Sequence, residues 1–190
     1  GDTPFSSEFT WSMAAGASCN VSRITTSPHN GTHADAPLHF LPGTAGIGDV
    51  PLDPYLGPCM VVQGPGEGQI LPRHLDGIDL AITPRILVRT HQSTDAGFDR
   101  EFVSLSAEAA GWLANRGARL IGLDTPSMDP FDSKTMDAHH ALLGAGVAIL
   151  ENLVLAHVDP GVYELIALPL RWTGLDASPV RAVLRETSLD

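Results

Sequence analysis

A short segment near the start of the chain holds four side chains that could bind a metal ion. They are His29, His33, Asp35 and His39, separated by 4, 2 and 4 residues. Side chains of an extended chain alternate between two faces, so this spacing places all four on one side. Gly31 and Pro37 disfavour a helix, and we therefore predict irregular extended chain at the end of a strand. Imidazole and carboxylate suit zinc, manganese or iron, so the pattern favours a divalent-metal site over a solvated, histidine-rich loop.

Two further candidate ligands, His139 and Glu151, come from a predicted helix and from the end of the strand that follows it. A carboxylate directly after the apolar run 147–150 needs a partner, which could be a cation or an arginine such as Arg171. His139 and His140 are adjacent, so on a helix they point about 100° apart and at most one faces the site. The residues alone leave the metal-binding and the structural interpretations of His139 and Glu151 equally open.

Other polar residues have less specific contexts. Asp124 and Asp129 lie in a turn-rich loop and could bind metal, orient a ligand histidine or cap the next helix; turn chemistry is favoured for Asp129 before Pro130. We expect surface or core roles for His74, His91 and His157. The sequence contains no nucleophile-elbow motif, phosphate loop or dinucleotide fingerprint, so nucleophilic serine or cysteine catalysis has no support.

The elements that must position these residues alternate between apolar strands and helices. We predict strands at residues 17–26, 59–62, 85–90, 120–123, 147–150, 163–168 and 180–185. We predict helices at residues 71–75, 105–116 and 133–143, and loops at 1–10, 41–57 (with a helical turn near 50–55) and 91–102. This order predicts an α/β protein: one domain over residues 1–190, with a mostly buried mixed β-sheet flanked by helices.

Composition excludes several classes of function. The 190 residues carry a net charge of −11 without a basic cluster, which argues against nucleic acid and anionic membranes as partners. No apolar run has the length of a membrane-spanning helix. Cys19 and Cys59 are predicted to be buried, unreactive thiols of a reducing compartment, which indicates a cytoplasmic protein.

The segment His29-x-Gly-Thr-His-x-Asp-x-Pro-x-His39 resembles the signature of the cyclase-like metal-dependent hydrolases, which include the bacterial kynurenine formamidases (arylformamidases). Similar blocks begin at Gly1 (GDTPF), Gly122 (GLDTPSMDP), His139 (HHALL) and Ile149 (ILENL). The block at residues 167–182, ALPLRWTGLDASPVRA, resembles the formamidase branch in particular. The resemblance covers nearly the whole chain and implies a swivelling β/α/β, cyclase-like fold.

The same resemblance implies a binuclear site in which His39 is the general acid/base. His29, His33 and Asp35 would hold one ion, and Asp35 would bridge to a second ion held by His139 and Glu151. The ligands are all nitrogen or oxygen, which favours Zn²⁺, with Mn²⁺ or Co²⁺ as alternatives. The family also implies a homodimer or higher homo-oligomer, and residues before Gly1 that supply an early strand and an aromatic group near the substrate.

The activity implied is metal-dependent hydrolysis of N-formyl-L-kynurenine to L-kynurenine and formate in tryptophan degradation. Two cations about 3.5–4 Å apart can acidify a shared water, giving a hydroxide that attacks the formyl carbon, while His39 protonates the departing arylamine. Aromatic residues available for the amine side are Phe5, Phe40, Tyr55 and Trp172. The competing hypotheses are a related hydrolase acting on a cyclic amide such as isatin, and a metal-binding protein without turnover.

Overall fold

The computed structural model describes residues 2–90 and 99–186, which contain two α-helices and twelve strands. The strands are β1 (Ser6–Trp11), β2 (Val21–Thr25), β3 (His33–Asp35), β4 (Leu56–Gln63), β5 (Gln69–Ile70), β6 (Arg85–Arg89), β7 (Ser104–Leu105), β8 (Leu120–Leu123), β9 (Ala148–Glu151), β10 (Gly161–Ile166), β11 (Ala177–Pro179) and β12 (Val183–Glu186). The helices are α1 (Ala107–Asn115) and α2 (Asp137–Gly144), and short 3-10 turns occupy Pro37–His39, Ile47–Asp49, Asp53–Tyr55 and Pro72–Leu75. The predicted α/β class is confirmed.

Eight of these strands form one mixed sheet in the order β11-β3-β9-β8-β6-β4-β10-β12. The four central strands, β9, β8, β6 and β4, run parallel to one another, and the flanking strands pair antiparallel. β6 and β8 are nearly continuous apolar runs because both of their faces are covered, as parallel strands require. The mixed, mostly buried sheet predicted from the sequence is therefore present.

The two helices cover one face of this sheet. Alternate residues of β6 divide between the faces: Ile86 packs in the cluster that contains the helices, and Leu87 packs in the cluster on the opposite face. α1 begins after Ser106, whose Oγ accepts a hydrogen bond from Ala109 N at 3.1 Å, as its sequence predicts. It ends just before Gly117, whose φ of +84° suits a residue without a side chain.

The N-terminal region differs from the prediction. Residues 1–10 were expected to form a loop, but β1 lies there, and it pairs with β2 in a separate two-stranded sheet. β2 lies within the predicted strand 17–26 and leads into the metal segment as expected, and every residue of the two paired strands is exposed. Its strands carry the exposed apolar residues Phe9, Trp11 and Ile24, together with an ion pair between Arg23 and Glu8.

Smaller differences concern element ends and the cysteines. α2 begins at Asp137 rather than at residue 133, and β11 was not predicted. Cys59 is buried as expected, whereas Cys19 is exposed because it precedes the exposed hairpin strand β2. Residues 91–98 of the predicted loop at 91–102, which include His91, lie outside the described residues. Within the described ranges, none of the helices has the length and apolar character needed to cross a membrane.

Candidate metal centre

Three neighbouring strands bring distant parts of the chain to one point. β3 pairs antiparallel with β9 so that His33 lies opposite Glu151. On the other side β3 pairs with β11, and Ala36 N donates to the carbonyl of Asp176 at 2.8 Å. His33 and Asp35 are two residues apart on β3, so both side chains project to the same side. The centre is therefore built where these strands meet.

The segment around β3 is not extended throughout. His29 lies in a turn before the strand, and His39 ends the 3-10 turn Pro37–His39 after it. The predicted convergence on one point is nevertheless found: ring centroids of His29 and His39 are 4.2 Å apart, and those of His29 and His33 are 5.0 Å apart. Turns, rather than a continuous strand, bring the two outer histidines inward.

Asp35 is at the centre of the cluster. Its Oδ1 lies 3.2 Å from His29 Nδ1 and 3.4 Å from His33 Nε2, and its Oδ2 lies 3.6 Å from His139 Nε2. Glu151 spans the same gap, because its Oε2 lies 3.4 Å from His33 Nε2 and its Oε1 lies 3.0 Å from His139 Nε2. In each carboxylate, one oxygen therefore faces His139, and the other faces His33.

Potential ligand atoms approach one another in two sets that share Asp35. One set is His29, Asp35 and His39, and the other is His33, Asp35 and Glu151, each with its ligand atoms within 4.8 Å of one another. The structure therefore brings all six predicted site residues together. It also places His39, predicted as the acid/base, as near to Asp35 as a ligand would be.

The donor set fits a cation. Asp35 is 1% exposed, yet in the described part of the chain neither of its oxygens, nor His33 Nε2, has a hydrogen-bond partner of acceptable geometry. Leaving such groups buried and unpaired costs free energy, which a divalent ion among them would remove. Three unpaired atoms of ligand type at one point are the observation that favours metal binding over a purely structural cluster.

In His33 and His139, the ring nitrogen that points away from Asp35 lies within hydrogen-bond distance of an acceptor. His33 Nδ1 lies 2.8 Å from the carbonyl of Gly31, and His139 Nδ1 lies 2.6 Å from Asp129 Oδ2. When Nδ1 donates these hydrogen bonds, the lone pair of each neutral ring is on Nε2, which faces Asp35. Carboxylates and carbonyls commonly orient metal-binding histidines in this way.

Asp129 has two of the roles considered for it. Its Oδ1 accepts from Ala138 N at 2.9 Å, and its Oδ2 accepts from His139 N at 3.0 Å, so it caps the start of α2. The same carboxylate orients the His139 ring. This side-chain cap explains why the helix begins later than predicted. By contrast, Asp124 accepts hydrogen bonds from Thr90 N and Oγ1. Asp124 directly follows β8, and Thr90 directly follows β6, the strand with which β8 pairs.

The adjacent residues His139 and His140 lie on different faces of α2. His139 is 1% exposed and reaches the cluster, whereas His140 is exposed, so the prediction that at most one of them faces the site is confirmed. Glu151 accepts a hydrogen bond from Met128 N at 2.7 Å and contacts His33 and His139. The alternative in which Glu151 is paired with an arginine such as Arg171 is therefore wrong; Arg171 is exposed.

Burial and neighbouring charges shift the pKa values of the clustered side chains, some upward and some downward. Burial alone would lower the pKa of His33 and of His139, but the nearby carboxylates raise them to about 10 and about 9 respectively. Burial raises the pKa of Asp35, but His29 and His33 outweigh it and hold that pKa well below its usual range. The pKa of His39 is lowered, chiefly by burial. His39 is thus the histidine of the cluster whose pKa lies below the ordinary value, whereas the pKa of His29 is raised.

A cavity of about 340 Å³ opens onto the cluster. Its lining includes His39, Phe40 and His139, and the Phe40 ring lies 4.3 Å from each of the two imidazole rings. Of the other aromatic candidates, Phe5 is exposed and does not line the cavity, Tyr55 is buried in the core beyond the sheet, and Trp172 packs against that same core. Phe40 is therefore the aromatic candidate that the structure places beside the site.

Backbone strain also occurs at the cavity. Met136 and Asn152 line it, and both have positive φ values, 50° and 54°. Such conformations cost of order 1–3 kcal/mol and persist where the surroundings enforce them. Asn152 N donates to the carbonyl of Thr125 at 2.9 Å, which fixes the chain directly after Glu151.

Sequence reasoning missed one residue of the cluster, Asp176. Its Oδ2 lies 3.1 Å from His29 Nε2 and 3.2 Å from His39 Nδ1. No local pattern marks it, because it precedes the short strand β11 and reaches the site only through pairing with β3. Its position in the block at 167–182 was the only available signal.

The fold and the cluster agree with one family. The sequence model of the Cyclase family matches residues 3–130, and the chain belongs to this family. The chain is 52% identical over 189 residues to a kynurenine formamidase from Bordetella pertussis, an alignment that covers 98% of this chain and 90% of that protein.

Solved structures show the same architecture. A predicted metal-dependent hydrolase from Bacillus stearothermophilus is 30% identical, with a TM-score of 0.80 over 95% of this chain and 86% of that chain. Isatin hydrolase A from Labrenzia aggregata is 24% identical, with a TM-score of 0.84 over 97% of this chain and 84% of that chain. The second likeness bears on the fold alone. The cyclase-like fold implied by the sequence resemblance is confirmed.

Proposed function

We propose that this chain hydrolyses N-formyl-L-kynurenine to L-kynurenine and formate, as a metal-dependent arylformamidase of tryptophan degradation. The observation that carries the proposal is the convergence of His29, His33, Asp35, His139 and Glu151, with His39 beside them, in a chain 52% identical to a kynurenine formamidase. The extent of that identity, nearly the whole chain, favours the formamidase over other members of the family.

We further propose two divalent ions per chain, with zinc as the native metal. His29 and His33 would hold one ion with Asp35, and His139 and Glu151 would hold the second with the same Asp35. The support is geometric, because Asp35 turns Oδ1 towards the first pair and Oδ2 towards His139. Nitrogen and oxygen donors suit zinc, and also manganese or cobalt.

Cations held there would supply Lewis acidity, which polarises an amide carbonyl and acidifies water. The chain itself must move the proton. Hydrolysis breaks the bond between the formyl carbon and the aryl nitrogen, adds the water oxygen to that carbon and returns one proton to the nitrogen. We propose that His39 accepts the proton from water and donates it to the departing amine. Its ring is 29% exposed at the cavity, so both partners can reach it.

The cavity accounts for the two sides of the substrate. The buried residues His33 and Glu151 line the cavity, and both histidines that contact Glu151 also contact Asp35; we propose that the small formyl group lies at this end. Phe40 provides a flat apolar wall for the aryl group. We therefore propose that the arylamine lies against Phe40, with its formamide directed towards Asp35.

We also propose a cytoplasmic homodimer. The exposed hairpin β1–β2 supports the dimer, because a lone two-stranded hairpin is marginally stable and this one exposes Phe9, Trp11 and Ile24. A second copy of the chain is the proposed partner for these exposed apolar side chains. Sedimentation of the wild type and of Trp11→Ser tests it: a dimer that the substitution dissociates supports it, and a monomeric wild type contradicts it.

The experiment that tests the activity is formate release from N-formyl-L-kynurenine, with isatin as the competing substrate, before and after chelation. Hydrolysis of the formamide that chelation abolishes and zinc restores supports the proposal. Turnover of isatin alone would indicate the cyclic-amide alternative, and bound metal without turnover of either would indicate a non-catalytic protein.

A further inference from the structure

One carboxylate oxygen outside the predicted ligand set contacts two histidines. Asp176 Oδ2 lies 3.1 Å from His29 Nε2 and 3.2 Å from His39 Nδ1. The Asp176 side chain is 40% exposed, and its backbone is fixed beside β3 by the hydrogen bond from Ala36 N to its carbonyl. The main chain therefore holds this carboxylate against both rings.

This contact selects a tautomer for each ring. An ionised carboxylate only accepts hydrogen bonds, so the ring nitrogens facing it must carry protons. For His29 this leaves the lone pair on Nδ1, which lies 3.2 Å from Asp35 Oδ1. For His39 it leaves the lone pair on Nε2. The first ring is thereby prepared as a ligand and the second as a base.

We propose that Asp176 is a positioning residue: it holds His39 with Nδ1 protonated, so that Nε2 is the nitrogen that takes up and delivers the proton during amide hydrolysis. This role rests on the proposed function. Asp176 does not touch the reacting atoms; it acts through His39, as carboxylates do that orient a catalytic imidazole through its second nitrogen. His39 is only partly enclosed and ends a 3-10 turn, so a bond from another strand is what restricts its rotation.

The test is Asp176→Asn. An amide oxygen in the position of Oδ2 can still accept from both rings, but it lacks the negative charge that strengthens both hydrogen bonds and favours a proton on the facing nitrogens. We expect kcat to fall by about 10–100-fold, the usual effect of losing a carboxylate that orients a functional histidine, with KM and metal content at saturating zinc close to wild type. Asp76→Asn, at an exposed position, is the matched control.

A double-mutant cycle separates this role from a structural one. If Asp176 acts through His39, Asp176→Asn should slow the His39→Ala enzyme by less than about 3-fold, since the ring it orients is gone. An equal loss in both backgrounds would overturn the proposal, and so would an unchanged kcat in Asp176→Asn. Asp176→Glu should recover part of the activity, because it restores an acceptor of the same charge.

Imidazole ¹⁵N spectra provide a readout independent of activity. These spectra distinguish the two neutral tautomers of an imidazole from each other and from the imidazolium, so they report directly which nitrogen of His39 carries the proton. We expect Nδ1 of His39 to be protonated in the wild type and this preference to be weaker in Asp176→Asn. The opposite tautomer in the wild type would overturn the proposal. If the wild type released no formate from any formylated arylamine, the proposed function would fail, while the spectra would still decide the positioning.

Discussion

His33 and Glu151, 118 positions apart in the sequence, face each other across two antiparallel strands, with His33 Nε2 3.4 Å from Glu151 Oε2. The register of β3 on β9 produces this contact, and a slip of one residue would turn Glu151 to the other face of the sheet. The candidate metal centre therefore depends on strand pairing as much as on its ligands.

Glu151→Gln should remove one of the two proposed ions. Glutamine can still accept the hydrogen bond from Met128 N, so we expect the fold to persist, but the charge that attracts the cation is lost. Elemental analysis should show a fall from about two ions per chain to about one, with little turnover left. Glu67→Gln, at an exposed position, is the control, and an undiminished metal content in Glu151→Gln would exclude Glu151 as a ligand.

His39→Ala should separate metal binding from catalysis. We expect both ions to remain and kcat to fall by about 10²- to 10⁴-fold, the contribution of a general acid/base. Metal content and formate release measured on the same preparation decide it. Parallel loss of metal and activity would instead make His39 a ligand, a role compatible with its approach to His29 and Asp35.

The metal-free protein should lose stability as the pH rises above neutrality. The folded-state pKa values of His33 and His139, about 10 and about 9, exceed the ordinary 6.5, so the folded chain binds their protons more tightly than the unfolded chain does. Their contribution is complete below about pH 6.5 and disappears as the pH rises through 9–10. Urea unfolding of chelated protein at several pH values should show this decline.

Zinc should alter that profile, because cation and protons compete for the same nitrogens. Zinc binding at pH 7 should release protons from His33 and His139, which calorimetry in buffers of different ionisation enthalpy measures. Binding heats independent of the buffer would contradict this account of the cluster.

Gly48→Ala should destabilise the fold. A Cβ at this position would lie 2.8 Å from Thr173 N and 2.9 Å from Thr173 Cα, and these backbone atoms cannot move aside as a flexible side chain can. We expect a loss of about 1–3 kcal/mol in the free energy of unfolding, the usual cost of overpacking. Thermal unfolding measures it, and Gly66→Ala is the matched control, because its Cβ meets nothing within 4 Å. Equal melting temperatures for the two variants would refute the close approach of these segments.

Much of the fold followed from local pattern. The apolar runs at 85–90, 120–123 and 147–150 became β6, β8 and β9, because strands buried on both faces must be apolar throughout. The cap of α1 was equally readable, since Ser106 and Gly117 act on their own neighbours. The odd-numbered spacing from His29 to His39 likewise identified residues that converge, although turns rather than an extended strand bring His29 and His39 inward.

The sequence by itself determined the residue types of the centre and the family to which the chain belongs. Only the tertiary structure decided that His139 rather than His140 reaches Asp35, that Glu151 faces histidines rather than an arginine, and that Asp176 joins the cluster. The reason is physical. Propensity, capping and side-chain parity act over a few residues, whereas the pairing of β3 with both β9 and β11 depends on how the whole sheet buries its two faces.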